Sequence, residues 1–133
     1  MRGTKKEQAG FTLIELMIVI TIILILLGMA AGRYDRSVLK ARETTLHHDL
    51  SVLRQAIDNY TLDKEAAPQS IEDLQQGGYL REIPMDPITQ SREWDAKFGD
   101  TVLSADQVTV GIEDVHSKSA SISPLEGTAY NTW

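Results

Sequence analysis

The 133-residue sequence predicts an α+β fold in which one long N-terminal α-helix packs on a small antiparallel sheet head. An apolar run from Leu16 to Gly32 is long enough to span a bilayer as a helix, and a helical stripe without proline follows it as far as Tyr60. After Pro68 the chain changes to short segments separated by Gly, Pro, Asp and Ser, as expected for turns and short strands. The helix is therefore half transmembrane and half amphipathic. We divide the chain into residues 1–10, 11–32, 33–67 and 68–133.

The first ten residues are polar and basic, and they lead directly into the apolar run. Arg2, Lys5 and Lys6 outweigh Glu7 there, so the positive-inside rule places the N-terminus in the cytoplasm and the chain after Arg33 outside. A secretory signal peptide has a shorter apolar region with its cleavage site behind it, which fits this pattern poorly. We expect the apolar run to stay in the protein as a membrane anchor.

One acid, Glu15, lies within the apolar segment that begins at Phe11. A carboxylate inside a membrane helix costs about 2.5–3.5 kcal/mol, so a paired and functional role is expected; the alternative is a stray acid at the rim of a signal anchor. The junction Gly10-Phe11 followed by Glu15 resembles the class III leader of type IV pilins and pseudopilins. The resemblance implies that a membrane peptidase cuts between Gly10 and Phe11 and that Phe11 becomes an N-methylated terminus. Glu15 would then pair with the Phe11 ammonium of a neighbouring subunit.

The helix has two parts with different expected roles. Leu13, Ile14 and the run from Leu16 to Leu27 would form the helix-bundle core of a fibre. Gly28 and Gly32 make a GxxxG pattern whose role stays open between close helix packing, local melting and none. Farther along, apolar residues at near-heptad spacing predict a stripe that packs on the head. The stripe comprises Leu39, Leu46, Leu50, Leu53, Ile57 and Tyr60.

The segment after Pro68 predicts a short helix followed by a rigid loop. Ser70 is the expected N-cap, with Asp73 three residues later and Gly77-Gly78 as the stop. The stretch from Leu74 to the Asp86-Pro87 turn resembles the same region of the G-type major pseudopilins of type II secretion. The resemblance implies a pilin-like head with a small antiparallel sheet.

Three short strands and five aromatic side chains should build the head. The predicted strands are Glu93–Phe98, Val108–Ile112 and Thr128–Trp133. Aromatic residues are expected to pack on the helical stripe rather than bind a ligand. They are Tyr79, Trp94, Phe98, Tyr130 and Trp133.

G-type pseudopilins commonly hold calcium in a late loop, and this chain has oxygen-bearing residues there. Asp106, Glu113, Asp114 and Ser117 are the candidate ligands, but the glycine-rich spacing of the family is missing and Lys118 adds a repulsive charge. Calcium is a possible cofactor on these grounds. The alternative is a solvated acidic loop.

Composition argues against several other functions. Without residues 1–10, ten basic residues remain against 18 acidic ones, which disfavours nucleic-acid binding. There is no cysteine, GxSxG motif or phosphate loop, and the adjacent His47 and His48 diverge on a helix, so we expect no enzyme.

The resemblance implies a structural subunit that polymerises into the fibre of a type II secretion-like system. Its partners would be other copies of itself, a prepilin peptidase, an inner-membrane assembly platform with its ATPase, and minor pseudopilins. It would cross the bacterial inner membrane once, with its head in the periplasm. Two alternatives stay open: a pilin of a long type IV surface filament, and an uncleaved, signal-anchored periplasmic binding domain.

Overall fold

The computed structural model describes residues 10–99, 105 and 110–133. Within these residues, two helices and two strands follow each other along the chain, and a 3₁₀ helix lies close to residue 133. They are α1 (Leu13–Lys64), α2 (Ile71–Gln76), β1 (Asp95–Phe98), β2 (Ile112–His116) and the 3₁₀ helix Tyr130–Thr132. The long helix and the small antiparallel sheet confirm the predicted α+β class.

Helix α1 is continuous over 52 residues, as the absence of proline predicted. It ends at Lys64 because Glu65 takes a left-handed conformation with φ 53° and Pro68 follows shortly after. The chain separates into two compact units, Met1–Val38 and Leu39–Trp133. Each unit therefore contains part of α1.

In the first unit, the apolar side chains of α1 are exposed along their whole length. Exposure reaches 82% at Leu13 and is still 61% at Leu27. An 18-residue window of α1 has a mean hydropathy of 2.8, so this helix is long and apolar enough to cross a membrane. Such a surface requires lipid or other apolar helices around it.

In the second unit, the stripe of α1 forms one side of the hydrophobic core. Leu46, Leu50, Leu53 and Ile57 are buried, while Leu39 and Tyr60 are partly buried, which confirms the predicted stripe. The buried cluster is completed by residues from the rest of the unit. They are Ala56, Leu74, Leu80, Trp94, Ile112, Val115 and Tyr130.

Helix α2 has the predicted ends. The Ser70 hydroxyl accepts a hydrogen bond from the Asp73 N–H, and the Asp73 carboxylate accepts one from the Ser70 N–H, so the capping box is complete. The helix stops at Gly77, and Gly78 adopts a φ of 81°, which glycine reaches without strain. The α2 residue Leu74 is fully buried, so the caps fix a helix that contributes to the core.

The sheet differs from the prediction in its second strand. β1 lies within the predicted Glu93–Phe98 range, but β2 begins at Ile112, where the predicted Val108–Ile112 strand ends; Val108 itself lies outside the described residues. The register pairs Lys97 with Asp114 and Phe98 with Ile112, so Glu113 is an extra residue in a bulge. Because of the bulge, Ile112 and Val115 both face the core although three positions separate them.

The predicted third strand, Thr128–Trp133, is wrong. Only an isolated bridge joins Ala129 to Ile122, and the chain then turns into the 3₁₀ helix. The turn at Gly127, with φ 74°, and the hydrogen bond from the Tyr130 N–H to the Ser121 carbonyl hold this segment against its own preceding loop. Local hydrogen bonds therefore replace the predicted strand pairing.

Four of the five predicted core aromatic residues are at least partly buried, and Phe98 is not. Trp94 and Tyr130 are buried, and Tyr79 and Trp133 pack against the core. Phe98 is 55% exposed, because it lies at the end of β1 where the bulge shifts the register. The prediction that Phe98 belongs to the core is therefore wrong.

Candidate assembly site

The residues expected to direct processing and assembly lie at the start of α1. Gly10 and Phe11 precede the helix, and Phe11 is 85% exposed. Thr12 directly precedes α1 and caps it: its hydroxyl accepts a hydrogen bond from the Glu15 N–H at 3.2 Å, and its carbonyl accepts one from the Leu16 N–H at 3.1 Å. Gly10 and Phe11 thus lie just before the helix whose first turn contains Glu15.

The Glu15 carboxylate is exposed and has no hydrogen bond or ion pair with the rest of the described chain. Its position in the first turn is favourable because the helix dipole is positive there. That attraction is modest compared with the cost of holding a lone carboxylate in lipid. Within a membrane, this carboxylate would therefore be a candidate for pairing with a cation from outside the described chain.

The second unit contains a buried acid that the sequence analysis missed. Glu43 is 4% exposed, and its Oε1 accepts hydrogen bonds from Ser123 Oγ and Tyr130 Oη, each at 2.7 Å. Burial and the hydrogen bond to Glu43 raise the pKa of Tyr130. Residue 43 lies four positions after Leu39 and three before Leu46, so it is on the same helix face as the predicted stripe. An acid at this core-facing position was the sequence signal that could have indicated the buried carboxylate.

Arg54 ties α1 to β2 and to the last residue of the chain. Its Nε donates to Asp114 Oδ1 at 2.6 Å, and its Nη2 donates to the carbonyl oxygens of Val115 at 3.1 Å and Trp133 at 2.8 Å. Partial burial of Asp114 raises its pKa, but the hydrogen bonds from Arg54 and the Val115 N–H outweigh that effect and hold the pKa below its usual value. One guanidinium therefore joins three segments of the head.

The Asp-Pro turn is built around a fully buried carboxylate. Asp86 Oδ1 accepts hydrogen bonds from the N–H groups of Ile88 and Thr89, and Oδ2 accepts one from the Ser117 hydroxyl. The turn predicted at Asp86-Pro87 is thereby attached to the end of β2.

Three of the four residues predicted to bind calcium, Glu113, Asp114 and Ser117, lie in the described part of the chain and have separate surroundings there. Glu113 lies over Gly99, Asp114 pairs with Arg54, and Ser117 donates to Asp86, while Asp106 lies outside the described residues. Among residues 10–99, 105 and 110–133, no group of three or more His, Cys, Asp or Glu side chains could hold a metal ion. The described donors do not fit a calcium site, and we assign no function to that ion.

The two histidines of α1 have separate surroundings. The ring of His47 stacks on Trp133 with centroids 4.2 Å apart, and its Nε2 lies 3.3 Å from Glu126 Oε1. His48 lies on an exposed position of the helix beside it.

A leader-type junction before an exposed apolar helix, followed by a small α+β head, defines the class of N-methylated, pilin-like proteins. Residues 5–31 match the prokaryotic N-terminal methylation motif. The chain is 29% identical over 99 residues to the type II secretion system core protein G of Pseudomonas aeruginosa, covering 62% of this chain and 70% of that protein. It is 32% identical over 98 residues to core protein G of Klebsiella pneumoniae, with 62% of this chain and 70% of that protein covered. The chain belongs to the core protein G family of pseudopilins.

A further relative comes from a different system. Competence protein ComGC of Halalkalibacterium halodurans is 33% identical over 80 residues, which cover 60% of this chain and 78% of that protein. No solved structure matches the chain. The relatives of the core protein G family are structural pseudopilins rather than enzymes, and this chain is a structural subunit of a pseudopilus.

Proposed function

We propose that the chain is cut between Gly10 and Phe11, that Phe11 becomes the N-methylated terminus, and that the product polymerises into a short fibre of a type II secretion-like system. The match of residues 5–31 to the methylation motif supports the cleavage site. The exposed junction before α1 supports it as well, because a peptidase must reach an extended backbone.

The observation that carries the assembly proposal is the unpartnered carboxylate of Glu15. Cleavage creates an ammonium group on Phe11, four residues and about 6 Å of helix rise away from Glu15. A neighbouring copy displaced by about one turn brings its ammonium next to this carboxylate. Removing one partner from a buried ion pair costs about 3–5 kcal/mol, so the pair favours the assembled state over two separate subunits in lipid. The exposed run from Leu16 to Leu27, with Leu13 and Ile14, then packs as the fibre core.

We further propose a membrane location and a set of assembly partners for the chain. Residues 11–32 cross the inner membrane once, residues 1–10 lie in the cytoplasm before cleavage, and residues 68–133 form a periplasmic head on the stem of residues 33–67. A prepilin peptidase, an assembly platform with its ATPase, and minor pseudopilins complete the system, as the family resemblance implies. We assign no catalytic role to the chain.

One other function has a specific observation in its favour. The similarity to competence protein ComGC supports a filament of a competence system, with the same assembly chemistry. A long surface pilus and an uncleaved anchored domain have weaker support. The head lacks the cysteines of a disulfide loop, and Glu15 would have no purpose in an uncleaved anchor.

The test begins with the intact mass and the N-terminal sequence of protein purified from its native membrane. A product that begins at Phe11 supports the pathway, and one that begins at Met1 contradicts it. We then expect Glu15→Val to be cleaved and inserted normally but to form no stable fibres, as judged by electron microscopy.

Thr21→Val is the matched control, because it removes a polar group from the same helix and loses only a hydrogen bond to the Met17 carbonyl. Its fibres should be normal. Normal fibres from Glu15→Val as well would refute the pairing.

A further inference from the structure

Charged side chains without an ion-pair partner among the described residues occur in two places: a basic group at the start of the stem and an acidic group farther along the chain. Arg33, Arg36, Lys40 and Arg42 are exposed, and none forms an ion pair within the described chain. Beyond residue 42 most cations are paired, and Lys64 and Arg81 are the exceptions among described residues. The pairs are Arg54–Asp114, Arg92–Glu82, Lys97–Asp95 and Lys118–Glu93.

An apolar groove with acidic sides lies near the end of α1 in the second unit. It has a volume of about 430 Å³ and is lined by Ile57, Asp58, Leu62, Ala67 and Glu113, among others. Leu62 is 78% exposed although it borders buried Ile57 and Ala67. The carboxylates of Asp58 and Glu113 accept no hydrogen bond from the described residues. The groove therefore combines an exposed apolar side chain, Leu62, with two carboxylates that no described residue pairs with.

We propose that this groove binds the basic stem, residues 33–42, of a second copy of the chain. Arginine and lysine side chains suit it, because their methylene groups can cover Leu62 while their charged ends reach the two carboxylates. Arg33, Arg36 and Lys40 follow i, i+3, i+7 spacing and share one helix face, so they can contact the groove together.

The contact is heterologous, because the surface on one copy differs from the surface on the other. Repetition of a heterologous contact builds an open polymer, which agrees with a pseudopilus subunit. Lys40 and Leu62 are separated by about 33 Å of helix rise, so parallel copies must be displaced by that distance. This exceeds the ~6 Å step of the Phe11–Glu15 pairing. The groove contact therefore joins copies that are several steps apart along the fibre, and it stabilises the outside of the fibre. The Phe11–Glu15 pairing aligns the helices in the core.

This inference rests on the proposed assembly, and cysteine cross-linking can test the two separately. The chain contains no cysteine, so introduced pairs report only the designed contact. We would co-express a full-length Leu62→Cys chain with a Lys40→Cys chain, oxidise the fibres, and expect a mixed disulfide-linked dimer. Gln76→Cys, an exposed position on α2 outside the groove, replaces Leu62→Cys in the control and should give no dimer with Lys40→Cys. Fibres without the mixed dimer overturn the groove contact, whereas absence of fibres from the unmodified chain overturns the assembly proposal itself.

Charge exchange then tests the chemistry. Asp58→Lys with Glu113→Lys in the Leu62→Cys chain should lower cross-linking about five- to tenfold, because attraction becomes repulsion at exposed pairs. Arg33→Glu with Arg36→Glu in the Lys40→Cys chain should lower cross-linking by the same amount, because both arginines lie on the contacting helix face. Combining the two charge-reversed chains should restore cross-linking. Equal cross-linking in all combinations contradicts the charge pairing. A stem reversal that weakens binding to phosphatidylglycerol vesicles while cross-linking is unchanged would assign the basic stem to lipid headgroups instead.

Discussion

Removing the Tyr130 hydroxyl should cost stability only while Glu43 is present. Tyr130 Oη donates to the buried Glu43 carboxylate at 2.7 Å, and Ser123 Oγ donates to the same oxygen. A hydrogen bond to a charged group contributes about 1.5–3 kcal/mol, so Tyr130→Phe should lower the free energy of unfolding by that amount. Glu43→Leu leaves both hydroxyls buried without their acceptor. In that background Tyr130→Phe removes one orphaned group and should be neutral or stabilising.

The predicted coupling between the two substitutions is therefore at least about 1.5 kcal/mol. The measurement is urea unfolding of the full-length chain in detergent micelles, followed by the fluorescence of Trp94 and Trp133. Tyr60→Phe is the matched control, since the Tyr60 hydroxyl has no hydrogen bond in the described structure and its loss should change stability by less than about 0.5 kcal/mol. If Tyr130→Phe costs the same in both backgrounds, within about 0.5 kcal/mol, the Glu43 cluster does not act as a unit.

Two other predictions concern Asp114 and its surroundings. Because the pKa of Asp114 is lower in the folded state than in the unfolded chain, its contribution is present above the unfolded pKa of about 3.9 and is lost as the pH falls through the folded pKa. Arg54→Met should therefore flatten the acid limb of the unfolding free energy below about pH 4, and an unchanged acid limb would show that the pair does not set it. Adding millimolar calcium or EGTA should leave the unfolding midpoint unchanged, because Asp114 and Ser117 are engaged elsewhere. A calcium-induced rise of several degrees would instead point to a site completed by Asp106.

Local patterns in the sequence predicted most of the helical structure. The stop after Lys64, the capping box of Ser70 and Asp73, and the Asp86 turn all depend on residues within a few positions of each other. Such interactions form with little long-range chain ordering, so spacing alone can indicate them. The leader junction is of the same kind.

The sheet and the polar core could not be predicted in this way. β2 starts at Ile112, and the bulge at Glu113 decides which residues face inward, so Val115 is buried and Phe98 is exposed. A bulge depends on how two strands fit against a helix, and alternation in one strand contains no record of it. Tertiary contacts also gave Asp114 and Ser117, two of the four expected calcium ligands, other partners.

The sequence by itself determined where the long helix runs, where the leader-type junction Gly10-Phe11 lies, and that an acid lies in the apolar segment. These features follow from hydropathy and short-range spacing, which are properties of the chain rather than of its folding. Only the tertiary structure decided that Glu43 is satisfied by two hydroxyls and that Arg54 joins three segments. It likewise placed Asp58 and Glu113 around a groove where no described residue forms an ion pair with them. The two residues of the Arg54–Asp114 contact are 60 positions apart in the sequence, and those of the Glu43–Tyr130 contact are 87 apart. Only folding brings such distant residues together.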